Sequence, residues 1–370
     1  MDSADLGTEW PNAGRVVWLA GGLTAYNNPG PDVEICAGSN GRTLHKFAIR
    51  KYGDLYDILK RQGFPIIGAT FVEHQEELEG LRPAQFRMAG RERGWPLWDV
   101  REKWRQIAFA ASRRNEMALM DISSRIASGL EYGQSRLYDL TAAYSVQLRA
   151  CLHSGQATEY RVFKDLNSRE VYKCIHALFW ELAVMRDTLG EFAALFCFSQ
   201  SGMKSLGGLV KHLKRGNFAD PLAKDLMNIT DEALGGWLSR FTFYRNFFTH
   251  IAPMEQAMGT AFTILDTRRL SDILSAPQIY YPLPRDIEKL TRERSQGNFY
   301  PTLEALVAAP RSRRDRAFDP DALEYLHVCL NHFVELATRF VARSPIPPAP
   351  IQLTQEDIIG EIKWNPGTLG

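Results

Sequence analysis

Cysteine is scarce in this chain of 370 residues. There are five (Cys36, Cys151, Cys174, Cys197 and Cys329), and no two form a C-x-x-C pair. Scattered and odd in number, they argue against a disulfide scaffold or a thiolate zinc site and fit a reducing, cytoplasmic setting. A dominant charge is also missing. Lys+Arg 44 against Asp+Glu 43 leaves a net charge of +1, so any contact with a polyanion must come from local clusters rather than an overall field. Long apolar runs are absent too. The richest, 177–198, is interrupted by Glu181, Arg186, Asp187 and Glu191 and is no membrane span, which needs ~20 apolar residues. The opening stretch MDSADLGTEWPNAGR lacks the basic and apolar regions of a signal peptide. These absences predict a cytoplasmic protein with no membrane partner, no metal and no cofactor. No internal repeat is visible.

What is present is a hydrophobic content of 45%, ample for one large core or two smaller ones. Residues 1–95 read as a small α+β module or extension. Short β-prone runs (Val16–Leu19, Val33–Cys36, Ile66–Val72) stand between Gly, Asn and Pro clusters, and one helix is expected over Gly53–Lys60. Residues 96–160 read as a long helical connector, in which Asp99–Leu130 and Ser135–Leu152 form two long helices or one bent at Gly133. Residues 161–343 read as a helical bundle, and 344–370 as a proline-rich linker and tail. The expected fold class is therefore mainly α, a helical bundle with a small α+β N-terminal region.

Within 161–343, Asn167 or Ser168 can cap a helix whose apolar residues Val171, Ile175, Leu178, Leu182, Met185, Leu189, Phe192 and Phe196 alternate three- and four-residue steps. A helix over Lys204–Lys214 and a loop at Asp220-Pro221 follow. The next helix starts near Thr230 or Asp231 and stops before Pro253. Another is expected over Glu255–Leu274. A last one is expected from Asp319-Pro320, with Phe318 stapled to Leu323.

The stretch Trp237–Met254, WLSRFTFYRNFFTHIAPM, carries the chemistry. At about 100° per residue, Trp237, Phe241, Tyr244, Phe248 and Ile251 form one line, and Phe243, Phe247 and Met254 a flanking sector. The remaining sector collects Ser239, Thr242, Arg245, Asn246, Thr249 and His250, with Arg245 and His250 about 140° apart at its edges. No acid stands between Glu232 and Glu255. An acid-free polar strip with one guanidinium suits an anionic ligand such as a phosphate, and an imidazole beside it can carry a proton.

Arg245, the polar Asn246 after it and His250 further on resemble the arginine–histidine motif of the HEPN superfamily. With 32 arginines and 8 histidines in the chain, chance alone yields about two pairs at the allowed spacings. Two occur, the other being Arg169/His176. The aromatic helix, the asparagine and the following proline single out the first. The resemblance covers Asn167 to about Arg343. It implies an all-helical domain, metal-independent endoribonuclease activity or RNA binding, a homodimer that brings two motifs together, and a toxin or defence role with an antitoxin or regulatory partner. It also implies catalytic roles for Arg245, His250 and Asn246. Lys204, Lys211, Lys214 and Arg215, with Arg311, Arg313 and Arg314, are the candidates for RNA-backbone contacts.

The alternative reading is a non-catalytic helical interaction or scaffold protein with a degenerate HEPN-like domain. A third places an enzyme site in the N-terminal module. Other constellations read as structural. Gly38–Thr43 lacks the Gly-Lys-Ser/Thr ending of a P-loop and reads as a turn. Ser201–Lys204 spells S-x-x-K without the partner motifs of a serine hydrolase. His327 and His332 do not converge as metal ligands, and Glu76, Glu77 and Glu79 form a solvated acidic face.

Overall fold

A computed structural model describes residues 13–28, 30–73, 85–91, 94–153, 161–216, 218–257, 263–269, 275–300, 302, 304 and 320–352. Ala13–Leu19 (β1) is a central strand because both its faces are covered: Arg15, Val17 and Leu19 are fully buried on one side and Trp18 nearly so on the other. It pairs antiparallel with Thr24–Asn27 (β2) and with Ile66–Glu73 (β5). Asp32–Cys36 (β3), Thr43–Ala48 (β4) and Gln85–Met88 (β6) complete a six-stranded sheet of order β4-β3-β2-β1-β5-β6. Asp54–Arg61 (α1) lies where a helix was expected and buries Leu55 and Leu59.

Pro96–Arg113 (α2) starts with proline in its first turn, where no N–H is needed. Asn115, at φ 58°, breaks it from Met117–His153 (α3). This long helix passes through Gly133 without interruption. A Cβ there would lie 3.2 Å from a Leu330 methyl, so the glycine serves helix packing rather than a bend. Leu166–Phe192 (α4) begins at Asp165, whose carboxylate accepts from Ser168 N at 2.7 Å, while Ser168 Oγ accepts from Asp165 N at 3.1 Å. That reciprocal box fixes the start better than the caps expected at Asn167 or Ser168. Leu206–Arg215 (α5), Pro221–Ile229 (α6), Trp237–His250 (α7) and the short Met254–Ala257 (α8) follow. Asp220, the last residue before α6, caps it by accepting from Leu222 N at 2.8 Å, and Pro221, expected in the loop, is the helix's first residue.

The chain is a mixed α+β protein, and the expected mainly helical bundle with a small α+β annex is corrected by two sheets. The first is the six-stranded sheet. The second lies inside 161–343, where Arg161–Phe163 (β7), Thr263–Arg269 (β8) and Ser275–Tyr280 (β9) form an antiparallel sheet of order β7-β8-β9. The helix expected over Glu255–Leu274 is instead α8 and β8. Sequence pattern understates these strands because β9 contains Pro277 and β8 ends in charge. Proline is tolerated there since β9 is an edge strand. Ile287–Ser295 (α9) and Ala322–Val341 (α10) close the order. The cap of α10 is Asp321, not Asp319, because its bridge to Pro282 holds Asp321 itself extended. The expected staple at Phe318 lies outside the described residues.

One apolar core runs through sheet and helices. The described part of the expected connector, 96–153, belongs to it: Trp104 of α2 packs edge-on against Phe192 of α4 at 4.8 Å. The turn after β1 is locked at Gly21 to Gln278 of β9, in the second sheet, and at Gly22 to α3. Their φ values of 68° and 89° suit glycine, and a Cβ on Gly22 would stand 2.6 Å from the Tyr144 carbonyl of α3. Beneath that contact lies a buried polar hub. Tyr144 Oη donates to Asp321 at 2.9 Å, and Tyr281 Oη donates to Gln147 at 2.6 Å. Gln147 in turn donates to Asp165 at 2.9 Å and Ser168 at 3.0 Å. Helices α3, α4 and α10 and the second sheet are thereby joined by hydrogen bonds as well as packing.

Candidate functional site

Helix α7 is held by its aromatic line. Phe179 of α4 stacks on Phe241 at 5.7 Å and meets Phe248 edge-on at 5.3 Å. Tyr244, fully buried, donates its hydroxyl to the Pro284 carbonyl at 2.7 Å, tying the lead-in of α9 to α7. Burial of each such ring stabilises by roughly 1.5–3 kcal/mol, so the helix that bears the motif is a rigid platform. It ends at His250, where the N–H groups of Ile251 and Ala252 both reach back to the Phe247 carbonyl before Pro253.

The structure brings the three motif residues together. Arg245 Nη1 donates to Asn246 Oδ1 at 3.0 Å and lies 3.4 Å from His250 Nε2. Arginine offers donors only, so in a hydrogen bond between them Nε2 is the acceptor. Asn246 and His250 are exposed and Arg245 is half-buried. Among the described residues Arg245 makes no ion pair, and its buried Nε has no hydrogen-bond partner. The guanidinium therefore retains donors and charge for an anion. The two threonines of the strip are spent on the helix itself: Thr242 Oγ1 donates to the Leu238 carbonyl and Thr249 Oγ1 to that of Arg245, each at 2.7 Å. Nor does the strip stay acid-free in space. Arg186 of α4 reaches Thr242 at 3.3 Å while paired to Asp187 through two bonds of 3.0 Å.

His250 opens into a cleft of about 390 Å³ between the ends of α7 and α9, lined also by Ile251, Arg294, Ser295, Gly297, Phe299 and Tyr300. Sequence reasoning missed this wall. The one signal was the pair Phe299-Tyr300 within an otherwise basic, proline-punctuated stretch, and nothing local places it beside His250.

The other predicted residues do not converge on this point. Lys204, Lys211, Lys214 and Arg215 are exposed on α5 and its lead-in. That helix meets α4 at Gly190, where a Cβ would stand 2.2 Å from Leu206 N. The end of α7 meets α4 at His176, whose Nε2 accepts from Met254 N at 3.1 Å. At 1.5 Å per residue the two places are roughly 20 Å apart along α4. Arg311, Arg313 and Arg314 lie outside the described residues, as do Glu76, Glu77 and Glu79. His176, the histidine of the second motif match, is thus a structural acceptor, its pKa lowered by burial.

His327 is likewise structural. Half-buried, with Nε2 2.8 Å from the Ala89 carbonyl, it is driven down to about 4 by desolvation. His332 instead stacks on Trp237 at 4.7 Å. Among the described residues no group of three or more His, Cys, Asp or Glu could hold a metal ion, and no helix is long and apolar enough to cross a membrane. The Gly38–Thr43 segment is a turn docked on α3. Ser39 N donates to Ser145 Oγ at 2.7 Å, and the Ser39 carbonyl accepts from Arg149 at 2.9 Å, so those groups are not offered to a phosphate.

Compared with protein-family models, curated proteins and solved structures, the chain matches none.

Proposed function

We propose that the end of α7 is the active site of a metal-independent, RNA-cleaving effector of the HEPN type. One observation carries this reading: Arg245 Nη1 stands 3.0 Å from Asn246 and 3.4 Å from His250 at an exposed helix end beside a cleft. A fixed cation and a proton carrier at one point are what phosphodiester cleavage needs when no metal takes part. His250 takes the proton of the ribose 2′-hydroxyl. The oxygen attacks phosphorus, a 2′,3′-cyclic phosphate forms, and the bond to the 5′-oxygen breaks as that oxygen gains a proton. Arg245 stabilises the charge that builds on the nonbridging oxygens, and Asn246 holds the guanidinium. One histidine serves one proton transfer at a time, so a second chain in a homodimer supplies the other. By the same resemblance the biological role is that of a toxin or defence protein with an antitoxin or regulatory partner.

Purified protein incubated with single-stranded and structured RNA in EDTA tests this. Cleavage is expected to survive EDTA and to fall by about 10²–10⁴-fold in Arg245→Ala and in His250→Ala. Cleavage that requires a divalent cation, or that either substitution leaves intact, refutes the assignment. RNA binding with no cleavage under any condition would favour a non-catalytic interaction protein instead.

A further inference from the structure

The cleft next to His250 carries chemistry that cleavage of a phosphodiester does not itself require. Arg294 donates through Nη2 to the carbonyls of Gln256 and, at 3.1 Å, Ala257. Its guanidinium carbon lies 3.9 Å from the centre of the Phe299 ring. Held at two places, the guanidinium is fixed at the cleft. Its Nε is buried with no partner among the described residues. Tyr300 follows directly, its ring 4.2 Å from that of Phe299 and inclined to it by 59°. Both rings are half-buried and line the same cleft as His250.

A fixed cation beside an aromatic wall recognises a nucleotide in two parts, ring on ring and charge on phosphate. The size selects how much nucleic acid enters. About 390 Å³ lies at the low end of the ~300–1,000 Å³ of ligand pockets, room for one nucleotide and too little for a paired stack. A base reaches such a wall only when it is unpaired. Resting on the reading of Arg245 and His250 as an RNA-cleaving pair, we propose that this cleft seats the unpaired base of the nucleotide adjoining the scissile phosphate. The base stacks on Tyr300, and Arg294 contacts the neighbouring phosphate. The substrate class is then single-stranded or looped RNA, with little preference for the identity of the base, because every base offers a π-face.

Equilibrium binding tests this in the full chain carrying His250→Ala, which prevents turnover. The probes are a short fluorescein-labelled single-stranded RNA and the same sequence closed into a hairpin stem, at one salt concentration. The single strand is expected to bind at least about tenfold more tightly than the stem. Adding Tyr300→Ala or Tyr300→Leu is expected to weaken the single strand by about tenfold, and Tyr300→Phe, which keeps the ring, to restore most of the loss. Equal affinity for strand and stem, or full affinity in Tyr300→Ala and Tyr300→Leu, overturns the proposal. The proposed catalysis fails separately. Binding that depends on Tyr300 in a wild-type chain that never cuts leaves the base seat standing and removes the nuclease. Cleavage abolished by Arg245→Ala with KM unmoved by Tyr300→Ala does the reverse. Absence of any RNA binding overturns both.

Discussion

Replacing Asp321 with asparagine should make the protein less stable in acid and restore or raise its stability above neutrality, so that the two pH profiles cross. Asp321 is buried at the start of α10, and its carboxylate accepts four hydrogen bonds. Tyr144 Oη and Tyr281 N approach Oδ1 at 2.9 and 2.8 Å, and Leu323 N and Glu324 N approach Oδ2 at 3.0 and 3.2 Å. Burial nevertheless pushes the carboxyl up from its ordinary 3.8 to about 7, with the nearby Glu324 acting in the same direction. The folded state thus binds the proton more tightly than the unfolded chain. The stability so gained is complete below about pH 3.8 and is lost as pH rises through about 7. A shift of this size corresponds to about 4 kcal/mol across that window.

Asparagine cannot ionise, so that slope disappears. Its amide nitrogen must face one pair of the four donors, a pH-independent penalty of about 1–3 kcal/mol. Urea denaturation of wild type and Asp321→Asn at a series of pH values from about 4 to about 8 reads the difference directly, and other titrating groups cancel between the two proteins. Parallel profiles would refute the reasoning. Divergence in the opposite sense would show that the four donors hold the carboxylate ionised.

Gly22→Ala, with φ 89° and a Cβ 2.6 Å from the Tyr144 carbonyl, should lose about 2 kcal/mol or more; an unchanged denaturation midpoint would show that the packing of this turn on α3 yields. His327, lowered to about 4 by burial, should show no imidazole titration by NMR between about pH 5 and pH 8. Its folded pKa lies below the ordinary 6.5, so the stability it supports is present above that value and is lost as pH falls through about 4. A midpoint near 6.5 would refute the desolvation of the imidazole.

The parts of the fold legible in sequence were those whose pattern is local. The runs at Val16, Val33 and Ile66 became β1, β3 and β5, α1 fell within a residue of its expected bounds, and the three- and four-residue steps from Val171 became α4. Thr24–Asn27 and Gln85–Met88 carry too few β-branched residues to announce themselves, and they are strands because β1 and β5 offer them free edges. Thr263–Arg269 likewise owes its extended form to the partners on either side. At α7 the wheel assigned Phe241, Tyr244 and Phe248 to the buried side, as found. It also put Ile251 there, which is 36% exposed because the helix has already ended.

By itself, the sequence of α7 determined that Arg245, Asn246 and His250 would share one face of one helix, because helical periodicity is set by the backbone and needs no partner. Their mutual reach of 3.0 and 3.4 Å follows from that spacing together with side-chain length. Tertiary structure decided what surrounds them. It turned Thr242 toward Arg186, spent His176 on the Met254 amide, and set the basic α5 far along α4. It also carried Arg294, Phe299 and Tyr300 to the His250 side through the clamp of α9 on α7 and α8. Those placements depend on which helices bury which faces against each other, a property of the whole core that no window of the chain contains.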